Sequence, residues 1–410
     1  MKNDPSHWLT ARRLRAHATI LAACLWSVYV WNLATPGLRD RSGNLKGTDF
    51  LHLYTLGSLA AKRDGADLYD MNAQAALAVQ RVPAAAGLHY LPLYPPQVSV
   101  LFAPLAQLPY GWALAAWWVF SAAIYGICCY FLWRACPDLR GYGALVALAA
   151  LAFPGFFHLI AWGQTSALAL ACFTLTFFLL RDRRQFFAGL VLGCLVFKPQ
   201  LGIAASVVFL AVGAWKILLG AAISAAVQLS IGVLYYGTEP LRRWAHVMLH
   251  VRQVLPLLEP RPYHTHCLRT FWSMLIPWPN LSFGLYVASA AVVLGVTVAC
   301  WKRKSASLAL RYSSLLLATV LVAPHLTVYD LVILAPAFLL LADWLIRQSR
   351  QSSNAATGSL GILLYLAYML PLLGPLTRWT HLQLSVVAMA AAIFLIFRLQ
   401  REEHHGEMRI

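Results

Sequence analysis

Three parts of this sequence carry side chains suited to acid–base or ionic chemistry. The first is the segment 47–52, Gly-Thr-Asp-Phe-Leu-His, in which Asp49 closely follows an apolar run near the N-terminus. The second is the stretch 237–281, which contains five arginines and four histidines. The third is Lys198, which lies between two short apolar blocks, where a lysine is costly and usually faces a cavity or a partner. A carboxylate, imidazoles and cations in these places are typical of proton transfer and of anion binding.

Asp49 stands at the start of a predicted helix. Residues 50–63 have the spacing of an amphipathic helix, with leucines on one side and two basic residues at the end. Thr48 or Asp49 is suited to cap that helix. On position alone, a capping role and a chemical role for Asp49 both stay open.

The stretch 237–281 is basic, because its five arginines face only two acids, Glu239 and Glu259. This balance suits a phosphate-bearing or other anionic ligand, and it suits anionic lipid headgroups equally well. His264 and His266 alternate as zinc ligands can, but no third Cys, Asp or Glu ligand stands nearby at typical spacing. We therefore expect no metal and no cofactor.

The elements that must hold these residues follow from composition. Of the 410 residues, 60% are hydrophobic and 11% are charged, whereas a soluble domain carries about 25% charged residues. Apolar blocks of roughly 15–20 residues alternate with short basic clusters, which is the pattern of many membrane-spanning helices. This excludes a soluble globular protein and predicts an all-α, polytopic membrane protein with about twelve transmembrane helices.

Basic clusters at the ends of the apolar blocks give the orientation, since Lys and Arg concentrate on the inner side. The predicted spans are 17–35, 110–133, 142–160, 164–180, 186–198, 200–215, 217–236, 282–300, 312–324, 330–346, 358–374 and 380–398. With the N-terminus inside, the inner segments hold 19 Lys and Arg and the outer ones hold 13. Because these cations follow the membrane borders, we expect the lipid bilayer as a partner and no nucleic acid.

The resulting organisation is a cytoplasmic N-terminus over 1–16, one transmembrane domain over 17–398 and a cytoplasmic tail over 399–410. The protein is expected in a bacterial inner membrane. Two large loops, 36–109 and 237–281, then face the outer side, where functional residues are expected. The segment Pro96–Leu108 is too short to span and is predicted to be a helix at the outer face. Whether 186–215 forms two short passes or a re-entrant pair stays open.

Several short motifs occur in order along most of the chain. They are Gly47-Thr48-Asp49-Phe50, then Leu68-Tyr69-Asp70 with Tyr94-Pro95-Pro96 and Ala103-Pro104-Leu105, then Trp162-Gly163-Gln164-Thr165 with Ala188-Gly189-Leu190 and Phe197-Lys198-Pro199, and finally Ala323-Pro324-His325 with Tyr329-Asp330. With these motifs the chain resembles the GT-C class of lipid-sugar-dependent glycosyltransferases. It resembles more specifically glycosyltransferase family 87, whose members are similar to polyprenol-phosphate-mannose-dependent mannosyltransferases.

The resemblance implies a hexose donor on polyprenyl phosphate, mannose being the family default. The acceptor is a hydroxyl of a glycolipid, polysaccharide or protein at the outer (periplasmic) face. Inverting transfer needs a general base, and the resemblance gives that role to Asp49. It implies that His325 and Lys198 bind the donor phosphate, and the basic stretch 237–281 adds Arg269 and His266 as candidates for the same role. Sugar or acceptor contacts are expected from His52, Gln164, Tyr94 and Asp330. His325 is also expected to face Asp330, one helical turn later.

A second class of protein fits part of this pattern. A multi-span transporter or flippase of lipid-linked sugars also has about twelve spans, but it typically shows an internal repeat. No convincing repeat relates the two halves of this sequence, and a transporter leaves the long first outer loop with its aspartate unexplained. A receptor-like or assembly protein without chemistry is a third class, and no recognisable soluble module supports it.

Overall fold

The computed structural model describes residues 9–407 apart from 252, 254–258, 260 and 352–354. These residues are predominantly helical, and no β-strand occurs among them, which confirms the predicted all-α class. Two isolated antiparallel backbone bridges join Arg39 to Leu45 and Thr265 to Thr327. Parts of the two predicted cytoplasmic ends, 1–8 and 408–410, lie outside the described residues.

The helices are numbered here in chain order. The α-helices are α1 (Ala11–Leu33), α2 (Thr48–Ala61), α3 (Met71–Arg81), α4 (Pro96–Phe102), α5 (Tyr110–Ala135), α6 (Gly143–Ala152), α7 (Pro154–Trp162), α8 (Ser166–Arg181), α9 (Gln185–Gly193), α10 (Ile203–Ala211), α11 (Trp215–Tyr236), α12 (Glu239–Leu249), α13 (Leu268–Leu275), α14 (Pro279–Lys302), α15 (Leu308–Val322), α16 (Ala335–Gln351), α17 (Ala355–Met369), α18 (Thr377–Thr380) and α19 (Leu384–Glu407). Short 3₁₀ helices lie at Asp67–Tyr69, Pro83–Ala85, Leu105–Gln107, Pro137–Tyr142, Cys194–Phe197, Pro199–Gly202, Pro262–His264, Val328–Leu334 and Leu370–Leu376.

Within the described part of the chain, seven helices are long and apolar enough to cross a membrane. The pair Pro137–Ala152 and Pro154–Trp162, bent by 47°, makes an eighth if it is one span. Four further apolar helices have only 10–17 residues, and each overlaps a predicted span. A helix of that length is at most about 25 Å long, less than the roughly 30 Å of a bilayer core. The chain is therefore a multi-pass membrane protein, and the count of about twelve passes stays a prediction.

Close contact between α9 and α11 explains one of the motif glycines. A Cβ on Gly189 would lie 2.1 Å from the carbonyl oxygen of Ile217, and a Cβ on Gly220 would lie 2.3 Å from that of Phe186. Small residues at such contacts let two helix backbones approach each other inside a membrane. This packing fixes the position of α9, and Lys198 follows α9 after one short 3₁₀ helix.

The segment predicted as an amphipathic helix, 50–63, does form a helix, α2. The expected exposed face is absent, since every residue from Phe50 to Ala60 is buried. The cover comes from α3, α4, α5 and α7, which pack around α2. Gly57 shows how close α4 lies, because a Cβ there would be 2.4 Å from the carbonyl oxygen of Phe102. The prediction of one solvated side was wrong because neighbours distant in sequence cover it.

The segment Pro96–Leu108 contains α4 and a short 3₁₀ helix, Leu105–Gln107. The α4 helix has seven residues, which is too short to cross a bilayer. Helix α15 contributes to the largest apolar core and is buried along almost its whole length. The segment 324–334, which carries several of the predicted site residues, follows α15 directly.

Candidate active site

The short segment between α7 and α8 joins three parts of the chain. The side-chain N–H of Gln164 (Nε2) donates to Asp49 Oδ2 at 2.7 Å, which connects this segment to α2. The hydroxyl of Tyr94 donates to Gln164 Oε1 at 3.3 Å. Two residues further on, the hydroxyl of Ser166 donates to Asp330 Oδ1 at 2.5 Å. Four of these five side chains were expected at the site, and the structure brings all five together.

Asp49 lies in the first turn of α2 and does not cap that helix. The N-cap is Gly47, in a left-handed conformation with φ 63°, and no side chain caps the helix there. Asp49 is half-buried, and burial raises the pKa of its carboxyl group to about 6. The hydrogen bond from Gln164 and the charge of Lys198 act in the opposite direction but do not outweigh burial. The structure therefore shows that Asp49 does not cap α2.

Two motif glycines allow the approach of Gln164 to Asp49. Gly163 ends α7 with φ 71°, and a Cβ there would lie 2.7 Å from the Cβ of Phe50, the residue next to Asp49. Gly47 has φ 63°, and a Cβ there would lie 2.4 Å from Leu114 Cδ1. Both positions need the left-handed conformation that glycine adopts without strain. Glycine is thus required by backbone conformation and by space.

We expect Gly163→Ala to lower the free energy of unfolding by about 1–3 kcal/mol, because it adds both backbone strain and a clash. Thermal unfolding of the purified protein in detergent measures the change. Gly87→Ala is the matched control, since Gly87 also has a positive φ, 84°, but nothing lies within 4 Å of a Cβ there. Equal losses in the two variants would show that contact with Phe50 does not matter.

Lys198 has a protein partner, Asp330. Its Nζ lies 2.7 Å from Asp330 Oδ1, 3.0 Å from Ser166 Oγ and 4.9 Å from the centre of the Tyr329 ring. The two charged side chains are only 7% and 2% exposed. Asp330 also accepts the backbone N–H of Thr327 in a capping box. Asp330 therefore pairs with Lys198, and the expectation that His325 faces Asp330 was wrong.

His325 lies against a different carboxylate, that of Glu259. Its Nδ1 is 2.8 Å from Glu259 Oε1, and its Nε2 is 3.4 Å from Thr327 Oγ1. Glu259 also pairs with Arg269, whose Nε–H donates to the backbone carbonyl of Pro324. Burial alone would raise the pKa of Glu259, but the hydrogen bond from His325 and the charge of Arg269 outweigh it, so the pKa is lowered.

Glu259 did not emerge from the sequence as a site residue. It was visible only as one of two acids in a basic stretch, and its partner His325 lies 66 residues further along the chain. The sequence marks Glu259 only as an acidic residue among many arginines, and this does not indicate that its partner is His325.

His52 and His266 are the other two histidines predicted at the site. Both are buried and less directly connected to Asp49. His52 stacks on Tyr90 with ring centres 5.1 Å apart, and burial lowers its pKa to about 4. His266 is 1% exposed, with Nδ1 2.8 Å from Ser385 Oγ, and burial lowers its pKa to about 3. The Nε2 atoms of both have no hydrogen-bond partner in the described part of the chain. At neutral pH both side chains are therefore uncharged hydrogen-bonding groups.

His264 and His266 alternate in the sequence, but their side chains have different surroundings, since His266 is hydrogen-bonded to Ser385. His264 packs against Trp162 and His158, with ring centres 5.5 Å and 6.0 Å away. Among the residues that the structure describes, no three His, Cys, Asp or Glu side chains are grouped as a metal ion requires.

The site as a whole is a half-buried carboxylate with charged groups around it. The charges of Lys198 and His325 lower the pKa of Asp49 and that of Asp330 raises it, so the protonation of Asp49 depends on all three groups. Tyr94 is hydrogen-bonded to Gln164, and the His52 ring centre lies 5.7 Å from that of Tyr94. Such an arrangement combines a proton acceptor with cations that stabilise negative charge.

The sequence profile of glycosyltransferase family 87 matches residues 93–324, more than half of the chain. The matched range contains Tyr94, Gln164, Lys198, His266 and Arg269, whereas Asp49, His52, His325 and Asp330 lie outside it. Neither a curated protein nor a solved structure matches the chain. The chain therefore belongs to glycosyltransferase family 87 and is a membrane glycosyltransferase.

Proposed function

We propose that the protein transfers a hexose, mannose by its family resemblance, from a polyprenyl-phosphate donor to an acceptor hydroxyl at the outer membrane face. The transfer inverts the anomeric configuration, and Asp49 is the general base. The observation that carries the proposal is the carboxylate of Asp49, half-buried, held by Gln164 and within reach of the charges of Lys198 and His325.

The raised pKa suits a base. A carboxylate with a pKa of about 6 is mostly ionised at neutral pH and is more basic than an ordinary aspartate. The hydrogen bond from Gln164 to Oδ2 restricts the orientation of the carboxylate. Asp49 therefore combines a suitable protonation state with a fixed position.

The reaction that fits this base is a single displacement. The acceptor oxygen forms a bond to the anomeric carbon while the bond from that carbon to the phosphate oxygen breaks. The proton of the acceptor hydroxyl passes to Asp49, and the bonding electrons leave with the polyprenyl phosphate. Since negative charge develops on the phosphate, cationic or hydrogen-bonding groups must face it.

His325 and Arg269 are the best-supported phosphate ligands. They lie together around one carboxylate, Glu259, so two basic side chains share a single acid. Lys198 is already paired with Asp330, so the pair as a whole carries little net charge. We assign Lys198 no direct contact with the donor phosphate; its positive charge acts on Asp49 and on the phosphate from a distance.

Membership of a glycosyltransferase family favours transfer over transport. The test uses purified protein in lipid nanodiscs, polyprenyl-phosphate-mannose and a panel of hydroxyl-bearing glycolipids. We expect a mannosylated product by mass spectrometry and inverted anomeric configuration by NMR. A nucleotide-linked mannose, which lacks the lipid phosphate, is the control donor and should give no product. Flipping or uptake of the lipid-linked sugar without any transfer would support the transporter class instead.

The pH dependence tests the base. Because Asp49 must be ionised to accept a proton, the rate should rise as the pH increases through about 6 and then level off. Gln164→Met removes the hydrogen bond that lowers the pKa of Asp49, so the rising limb should move to higher pH. Gln107→Met, at an exposed position, is the control and should leave the limb in place. An unmoved limb in Gln164→Met would contradict the assignment of that limb to Asp49.

A further inference from the structure

Glu259 is a buried carboxylate shared by several side chains. Its Oε1 lies 2.8 Å from His325 Nδ1 and also contacts Arg269, and its Oε2 accepts the hydroxyl of Thr270 at 3.1 Å. The side chain is only 6% exposed. A buried charge is costly unless it is paired and hydrogen-bonded. Here these requirements are met by groups from the second outer loop and from the segment after α15.

The backbone of the second outer loop also docks along 324–327. Thr265 and Thr327 form an antiparallel bridge, and the N–H of His266 donates to the carbonyl of Leu326 at 3.0 Å. The guanidinium of Arg269 contacts the carbonyl of Pro324. The loop thus holds the chain on both sides of His325, and Glu259 contacts the His325 side chain itself.

This contact determines what the imidazole can offer a ligand. A carboxylate is an acceptor, so the contact at 2.8 Å requires His325 Nδ1 to carry a hydrogen. The partner of one ring nitrogen sets the role of the other, and a carboxylate also stabilises positive charge on the ring. Nε2 has only a 3.4 Å contact, to Thr327 Oγ1. In a neutral ring with its hydrogen on Nδ1, that atom is an acceptor; in the imidazolium, which the adjacent carboxylate stabilises, Nε2 carries a hydrogen and can donate to an oxyanion.

We infer that Glu259 is a positioning residue for His325, which it orients through Nδ1 so that Nε2 donates to the phosphate of the polyprenyl-phosphate donor. The inference rests on the proposed function, because it concerns the leaving group of that reaction. It makes a prediction opposite to that of simple charge repulsion. Removing a negative charge from beside a phosphate site should strengthen phosphate binding, whereas loss of a positioning residue should weaken it.

A double-mutant cycle of Glu259→Gln and His325→Gln tests this on the full chain in nanodiscs. We expect Glu259→Gln to lower kcat by about 10–100-fold, by analogy with the loss seen when the hydrogen-bond partner that orients a metal-binding histidine is removed. In the His325→Gln background the same change should alter kcat by less than about twofold, because its effect passes through His325. Glu239→Gln is the matched control, since Glu239 lies in the same loop but is 60% exposed and pairs with an exposed arginine.

A binding experiment separates this inference from the proposed function. The Kd for polyprenyl monophosphate, which needs no turnover, is measured for the same variants. Weaker binding by Glu259→Gln supports the inference even if the wild-type protein transfers no sugar. Equal or tighter binding overturns it, as does an equal loss in the His325→Gln background, which indicates an effect on folding. Partial recovery by Glu259→Asp, which keeps the charge, is expected.

Discussion

We expect Asp49→Asn to lower the rate of sugar transfer by about 10²–10⁴-fold, the usual contribution of a general base, which is the role proposed for Asp49. Asparagine has nearly the same size and its side-chain oxygen still accepts the hydrogen bond that Gln164 donates. It cannot take a proton from the acceptor hydroxyl. Measured with polyprenyl-phosphate-mannose in nanodiscs, the loss should appear in kcat, since the proton is transferred only during the reaction.

The same substitution should not destabilise the protein. Burial raises the folded-state pKa of Asp49 above its ordinary value, so the ionised carboxylate opposes folding wherever the pH is above both values. At pH 7 the Asn variant should therefore unfold at the same or a higher temperature than the wild type. That difference should disappear as the pH falls below the ordinary aspartate pKa. A gain in stability with a loss of activity is typical of a functional residue.

Asp70→Asn is the matched control for Asp49. Asp70 lies in the same segment between α1 and α5 and caps α3 by accepting two backbone N–H groups. Asparagine caps a helix about as well as aspartate, so this variant should keep both stability and activity. Wild-type transfer by Asp49→Asn would refute the base assignment.

We expect Lys198→Met to lower the free energy of unfolding by about 3–5 kcal/mol, because it removes one partner of a buried ion pair. The remaining carboxylate of Asp330 is 2% exposed and would keep only neutral partners. Unfolding in detergent measures the loss. Arg243→Met is the control, since Arg243 is 46% exposed and its ion pair with Glu239 contributes little.

The double variant Lys198→Met with Asp330→Asn separates stability from catalysis. It removes both charges, and the new asparagine is close in shape to the aspartate that accepts the N–H of Thr327. We expect most of the lost stability to return, because replacing a buried pair by neutral groups is often nearly neutral. Transfer should stay slow, because the Lys198 charge that acts on Asp49 and on the proposed phosphate site is gone. A stable double variant with the wild-type rate would make the pair purely structural.

Local sequence was enough to predict the class of the protein. Hydropathy and basic clusters depend on short windows, and the structure contains an apolar helix at each of the twelve predicted spans. The helix after Asp49 was also predicted, but the burial of every residue from Phe50 to Ala60 was not. Burial of α2 depends on α4, which follows it in the chain only after a long connection. Periodicity describes a helix and does not show what packs against each side.

The same distinction between local sequence information and tertiary packing applies to the site. The sequence by itself determined that an aspartate, basic residues and motif glycines lie near the borders of apolar helices. Only the tertiary structure decided their partners: Gln164 with Asp49 across 115 residues, Lys198 with Asp330 across 132, and Glu259 with His325 across 66. A hydrogen bond needs its two heavy atoms within about 3 Å of each other. For residues so far apart in the chain, that distance is set by the packing of whole helices, which no local pattern contains.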